Sequence, residues 1–240
     1  MNDLLSFTIE AHGGLENWNR FNKISTRIYA GGATWERKQQ VGLMRDVEVT
    51  VDTRMQDTLF RPNYDQDIQF RFDPQRVTIE DGNGQVMEEL LQPRLSFDGQ
   101  DRTSPWSRPQ AVYFSGYAMW TYLNAPFNFA GPGYEASEIE PWQEKGETWR
   151  RLKVVFPEHI ATHNREQVFY IDKNGLIRRH DYNVEISGNA GGAHYLYDHR
   201  DFQGVKVPTR RSVFIRNADN TSMQPEPVLI DIRLEEVRLF

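Results

Sequence analysis

Three polar side chains interrupt what should be a buried strand face. In Leu176-Ile-Arg-Arg-His-Asp-Tyr-Asn-Val-Glu-Ile186, a period of two puts Leu176, Arg178, His180, Tyr182, Val184 and Ile186 on one face. Ile177, Arg179, Asp181, Asn183 and Glu185 form the other, which reads as solvent-facing. An arginine, a histidine and a tyrosine on the apolar face cost several kcal/mol unless they find partners or line a wet cavity. An apolar wall carrying a few convergent polar groups is the pattern of a ligand pocket. The chemistry on offer is proton transfer, with His180 as a general base titrating near neutrality and Tyr182 beside it. A hydrogen-bonded core histidine satisfies the same pattern.

The anomaly recurs on other predicted strands. Arg45 shares a face with Val41, Leu43, Val47 and Val49, and Arg211 with Val205, Val207, Val213 and Ile215. Arg150 precedes Leu152, Val154 and Phe156 on theirs. Arginines converging on one interior suit a carboxylate or phosphate, because the planar fork grips two oxygens at once. Strand ends, or pairing with acids such as Asp231 or Glu166, would accommodate them equally. In His194-Tyr-Leu-Tyr-Asp-His199, alternation groups Tyr195, Tyr197 and His199 and turns His194 away. One strand therefore cannot bring both histidines to a metal.

His159-x-x-x-His163 has helical metal-pair spacing, but Pro157 precedes it and no acidic ligand completes the set, so no metal site is expected. The chain has no cysteine, which removes disulfides, thiolate ligands and a cysteine nucleophile together. Ser115-Gly116 lacks the spacing of a nucleophile elbow. The Gly-Gly pairs at 13, 31 and 191 form no phosphate loop. No cofactor is expected. The aromatic stretch Tyr113, Phe114, Tyr117, Trp120, Tyr122 and Phe127 reads as core packing or as flat walls for a planar ligand, with Tyr117 and Trp120 as contacts.

These residues need elements to position them. A length of 240 residues with 38% hydrophobic and 26% charged residues is ordinary for a globular protein, here read as one domain spanning 1–240. The net charge of −6 argues against a nucleic-acid surface, and the arginine pairs at 150, 178 and 210 are isolated. Met-Asn-Asp-Leu-Leu-Ser-Phe lacks the basic and apolar regions of a signal peptide, and no apolar run reaches membrane-spanning length. A cytoplasmic protein is the resulting expectation. Leu4, Leu5, Ile9, Ala11 and Leu15 predict an N-terminal helical region over 1–19, with Asn2 or Asp3 as N-cap.

From Phe21 onward the period is two, with turns at Asp81-Gly-Asn-Gly84 and Asp172-Lys-Asn-Gly175. The spacing predicts an antiparallel meander of about ten strands. A Pro- and Trp-rich insert over 92–146 breaks the rhythm, and Ala111–Leu123 within it reads as a helix covering the sheet.

The order of parts carries a resemblance. Ala11-His-Gly-Gly-Leu-Glu-Asn-Trp18 runs into Phe21-Asn-Lys-Ile24, and a long meander follows. It contains Tyr170-Ile-Asp-Lys-Asn-Gly-Leu-Ile-Arg-Arg179 and Asp201-Phe-Gln-Gly-Val-Lys-Val-Pro-Thr209. Over nearly the whole chain this layout resembles bacterial proteins of the LolA/LolB-like fold, the lipoprotein-carrier superfamily. The resemblance implies a mainly β fold: a strongly curved antiparallel sheet, an unclosed half-barrel, with an N-terminal helix and an inserted helix and loop plug over a hydrophobic cavity. The N-terminus does not read as the export signal that such carriers need, and the insert reads as longer and more aromatic than a carrier's plug.

A cofactor-free enzyme of violacein biosynthesis in the same superfamily acts on a reactive indole intermediate, so the fold can host chemistry. The leading expectation is binding of a hydrophobic or aromatic, anionic small molecule between sheet and plug. Its candidate contacts are Arg45, Arg150, Arg178, Arg211, Tyr195, Tyr197, His199, Tyr117 and Trp120. The competing expectations are a cofactor-independent lyase, isomerase or cyclase using His180 and Tyr182, and a non-catalytic module presenting a sheet edge.

Overall fold

The computed structural model describes residues 2–240. The Asn2 side chain accepts from the amides of Leu4 and Leu5 at 2.9 and 3.2 Å, which starts helix α1 (Asp3–Ala11) as a capping asparagine should. Leu4, Leu5 and Ile9 of α1 are buried. A short α2 (Leu15–Trp18) follows, and α3 (Ala33–Arg37) interrupts the first strands. The strands are β1 (Lys23–Gly31), β2 (Val47–Asp52), β3 (Thr58–Pro62), β4 (Ile68–Phe72), β5 (Arg76–Asp81) and β6 (Val86–Leu91). After helix α4 (Arg108–Asn124) come β7 (Glu135–Glu144), β8 (Glu147–Val155), β9 (Glu166–Ile171) and β10 (Ile177–Val184). The chain ends with β11 (Ala190–Phe202), β12 (Val205–Ile215) and β13 (Ile230–Leu239).

All thirteen strands join one antiparallel sheet in the order β6-β5-β4-β3-β2-β1-β13-β12-β11-β10-β9-β8-β7. Two meanders thus meet where β1 pairs with β13, with Ile28 opposite Leu234 and Ala30 opposite Ile232. The edge strands β6 and β7 do not pair, so the sheet stays open. The chain crosses between these edges through the segment that contains α4.

Why α4 lies inside is legible in its composition. Ser107 and Gln110 form a reciprocal capping box, Pro109 sits in the first turn, and the helix ends at the residue before Ala125-Pro126. Apolar and aromatic residues occupy every side, and Pro109 through Asn124 are all buried, as expected of a helix hydrophobic all round. It packs on the sheet over β2 to β6. Its closest approach needs a glycine: a Cβ on Gly116 would stand 2.2 Å from Cγ of Phe72 in β4. The Trp120 indole donates to Asp52 O at 2.9 Å and Met55 O at 2.8 Å, pinning the helix to the β2–β3 turn.

Two expected boundaries move. Strand β7 lies within the predicted 92–146 insert, which therefore covers the sheet only as far as Tyr134. Residues 41–46 are turn rather than strand, because α3 delivers the chain to the surface and Gly42 takes φ 83° there. Val41 is 72% exposed and Arg45 is exposed, so Arg45 does not face the interior.

Candidate functional site

Register places His180 opposite His194 and Leu196 opposite Arg211, so β10, β11 and β12 present His180, His194 and Arg211 side by side beneath α4. Tyr182 continues the row on β10. All four are nearly inaccessible to solvent. Tyr117 and Tyr122 descend from α4, and His163 arrives from the β8–β9 loop.

These side chains form one hydrogen-bonded network. Tyr117 Oη lies 3.2 Å from Nδ1 of His163, Tyr122 Oη 2.9 Å from its Nε2, and Tyr122 Oη 3.1 Å from Tyr182 Oη. The His163 ring stacks on Tyr182 at 3.8 Å between centroids. A neutral imidazole donates through one nitrogen and accepts through the other, so His163 relays between the two tyrosines of α4. The proton on His180 can be assigned from its neighbour. The Gln167 amide nitrogen donates to Thr162 Oγ1 and to the Asn164 carbonyl at 2.6 and 2.7 Å, which leaves Oε1 facing His180 Nε2 at 2.6 Å. Nε2 must then carry hydrogen, and Nδ1 holds the free lone pair.

Burial dominates the electrostatics. It lowers His163 to about 3 and takes His180 and His194 well below the usual histidine value, with Arg211 adding to the effect on the last two. Burial raises Tyr122 to about 12 and pushes Tyr182 up as well. The core therefore holds neutral imidazoles and neutral phenols. The cavity touching His180, between α4, α1 and the sheet, measures about 10 Å³. That is room for a water-sized species. A second small space of about 30 Å³ lies between α4 and the β1–β13 pair, and aromatic side chains of α4 line both.

Open space lies one step toward the rim of the same trough. Tyr182, Val184, Gly192, Val213, Ile215 and Ile230 floor a cleft of about 70 Å³, closed on one side by Phe114 and Trp106. Gly192 stands opposite Tyr182 in the register, and a Cβ there would press to 3.0 Å against the Tyr182 ring. Arg37, Lys38 and Arg102 line the rim, and no acidic residue lines the cleft among the described residues. Lys38 is only 1% exposed. Its ammonium donates to the carbonyls of Asp101 and Ser104 at 2.8 and 3.1 Å and lies 4.6 Å from the centre of the Trp106 ring. Burial lowers it to about 8, so it is still mostly a cation at neutral pH.

A larger open groove of about 470 Å³ lies beside the β4–β5 turn and the 157–165 loop, near Tyr113 and His159. Its cations are already paired, Arg94 with Glu185 and Arg165 with Glu158.

The structure sorts the sequence-selected residues. His180, Tyr182, Arg211 and Tyr117 meet beneath or within α4. Arg178 does not join them: Ile177 pairs with Ile171 and Arg179 with Tyr170, so Arg178 is the extra residue of a bulge and stays partly exposed. Arg150 keeps the register of Leu152 but is exposed at the open side of the sheet, with two nitrogens each 2.7 Å from Glu138. Trp120 is committed to backbone carbonyls, as above. His199 leaves the tyrosine row after Asp198 takes φ 55°, and its ring stands 6.0 Å from that of His12.

The other face of β10 is not solvent-facing. Arg179 is 0% and Asp181 3% exposed, because Asn217–Pro227 and the β7–β8 turn fold over them. Arg179 grips Asp181 through Nε and Nη2 at 2.7 and 2.8 Å, Glu144 at 2.9 Å and the Asn220 carbonyl at 2.6 Å. Tyr195 belongs to this outer cluster with Trp149, Tyr170 and Phe214, and Tyr197 packs at its border under Arg210. Neither tyrosine reaches the inner network. Sequence reasoning missed Gln167 and the rim cations, which carry no periodic signal. It met His163 only as half of a metal pair and Tyr122 only as part of an aromatic run.

No family model and no curated protein matches this sequence. Solved structures do match. A LolA-superfamily protein of Nitrosomonas europaea aligns over 98% of this chain and 92% of its own, with TM-score 0.52 at 6% identity. A DUF1329-family protein of Desulfovibrio piger aligns over 99% and 94%, with TM-score 0.52 at 10% identity. The chain has the LolA-like fold: an open antiparallel sheet with an N-terminal helix and an internal helix between its strands. Among the described residues, no helix is long and apolar enough to cross a membrane.

Proposed function

We propose that the protein binds a hydrophobic small molecule carrying one anionic group, with its apolar body in the rim cleft and its charge against Arg37, Lys38 and Arg102. The observation that carries this reading is the lining itself: an apolar floor, aromatic walls, three cations on one side and no acid. In a chain of net charge −6, such local one-sidedness favours an anion. Apolar walls with a few convergent polar groups are the common form of a ligand site. Proton transfer by His180 has less support, since only about 10 Å³ adjoins it.

Titration with 1-anilinonaphthalene-8-sulfonate, a planar hydrophobic anion, tests the reading by fluorescence. Saturable one-to-one binding is expected, lost in Val213→Trp, which fills the floor. Arg37→Gln and Arg102→Gln should each weaken it about 3–10-fold, more at low salt. Equal binding by the wild type and Val213→Trp would refute the assignment.

A further inference from the structure

Arg211 is the feature of the interior that neither the fold nor the rim cleft uses up. It is 2% exposed and forms no ion pair among the described residues. Its Nη2 donates to the Tyr122 carbonyl at 2.8 Å, in the last turn of α4, while Nε has no partner. Around it stand neutral or cationic groups: Tyr122, whose ring centre is 5.2 Å from the guanidinium, and the imidazoles of His180, His194 and His12. Each of those histidines is made harder to protonate by the Arg211 charge. No carboxylate acts on Arg211 itself.

A buried cation without a counter-charge costs several kcal/mol, and helix carbonyls offset only part of that. The small cavity of about 10 Å³ is bordered by Arg211, Thr121, His180 and Tyr122. Thr121 is 1% exposed and its hydroxyl is also without a partner. Two unpartnered donors, one of them charged, therefore border a space for one water-sized particle.

We propose that this cavity is an internal site for a single monatomic anion of chloride size, held by Arg211 and the Thr121 hydroxyl. It is distinct from the rim cleft and independent of what binds there. The anion supplies the charge that the sequence withholds from Arg211, and it ties β12 to the C-terminal turn of α4.

Thermal unfolding in sodium chloride and in sodium gluconate at equal ionic strength tests this, together with crystals grown in bromide. The expected result is a saturable rise in Tm of about 4–6 °C with chloride or bromide and none with gluconate. An anomalous bromide peak within hydrogen-bonding distance of Arg211 is expected as well. Thr121→Val should shrink the chloride-specific rise, which keeps the idea testable if Arg211→Met fails to fold. Identical Tm in the two salts, or the absence of a bromide peak at Arg211, would overturn the proposal and leave the cavity to water.

Discussion

His194 and Arg179 are opposite cases of a buried polar residue. Neither ring nitrogen of His194 has a partner, although the side chain is fully buried against Tyr122, 4.5 Å away between centroids. Leaving such nitrogens unsatisfied costs free energy that an apolar residue avoids. His194→Leu should therefore leave stability at pH 7 unchanged or raise it by about 1 kcal/mol, read from the urea midpoint at constant m. Arg179 is fully engaged by Asp181, Glu144 and Asn220. Arg179→Met strands two carboxylates in the outer cluster and should lower stability by about 3–5 kcal/mol. A loss below about 1 kcal/mol would show that solvent reaches those acids. Of the two arginines at 178 and 179, alternation selected the wrong one. A bulge is set by pairing with β9 and leaves no trace in the β10 sequence.

At the scale of elements, α4 is the piece on which the trough depends. Its helical character and its extent were readable from Ala111–Leu123, and the Ser107-x-x-Gln110 box and Pro126 sharpen the ends. What could not be read is its depth. An all-apolar helix must be buried, but whether it fills a cavity or roofs one depends on the strands it meets. Gly116→Ala tests the packing. Helix propensity favours alanine by about 1 kcal/mol, whereas the new Cβ would overlap the Phe72 ring, 2.2 Å away in the present packing. Overpacking should win, with a net loss of about 1–3 kcal/mol. Unchanged stability would mean that α4 can shift away from β4. The period-two strands from β2 onward were legible as a class. Arg45 and Val41 were misplaced because an apolar alternation in a turn looks like a strand end.

Over the whole molecule, the buried histidines predict acid sensitivity. His12 is lowered to about 4 and His163 to about 3, and His180 and His194 are held well below the usual histidine value, all mainly by burial. These groups are neutral in the fold, whereas an unfolded chain protonates them near the ordinary value of 6.5. The unfolded state thus binds more protons below that value, and stability falls as pH drops from 6.5 toward the folded values. His12 and His163 each cost about 2 kcal/mol by pH 5. Denaturant midpoints should decline steeply between pH 6 and 4, with a shallower decline in His194→Leu. A midpoint independent of pH over that range would contradict the neutral core.

The N-terminal helix, an antiparallel meander and the inserted helix were visible from the turns and the periodicity; that the strands form two halves meeting at β1 and β13 was not. The rim cleft was not, because its lining comes from α3, the insert, α4 and four distant strands, and only the folded register brings Arg37, Arg102 and Gly192 together. The most direct test of the cleft is a crystal structure with bound 1-anilinonaphthalene-8-sulfonate. The expected result puts the rings between Phe114 and Val213, with the sulfonate within about 4 Å of Arg37, Lys38 or Arg102. Ordered probe in the groove beside Arg94 and His159, with the rim cleft empty, would contradict it.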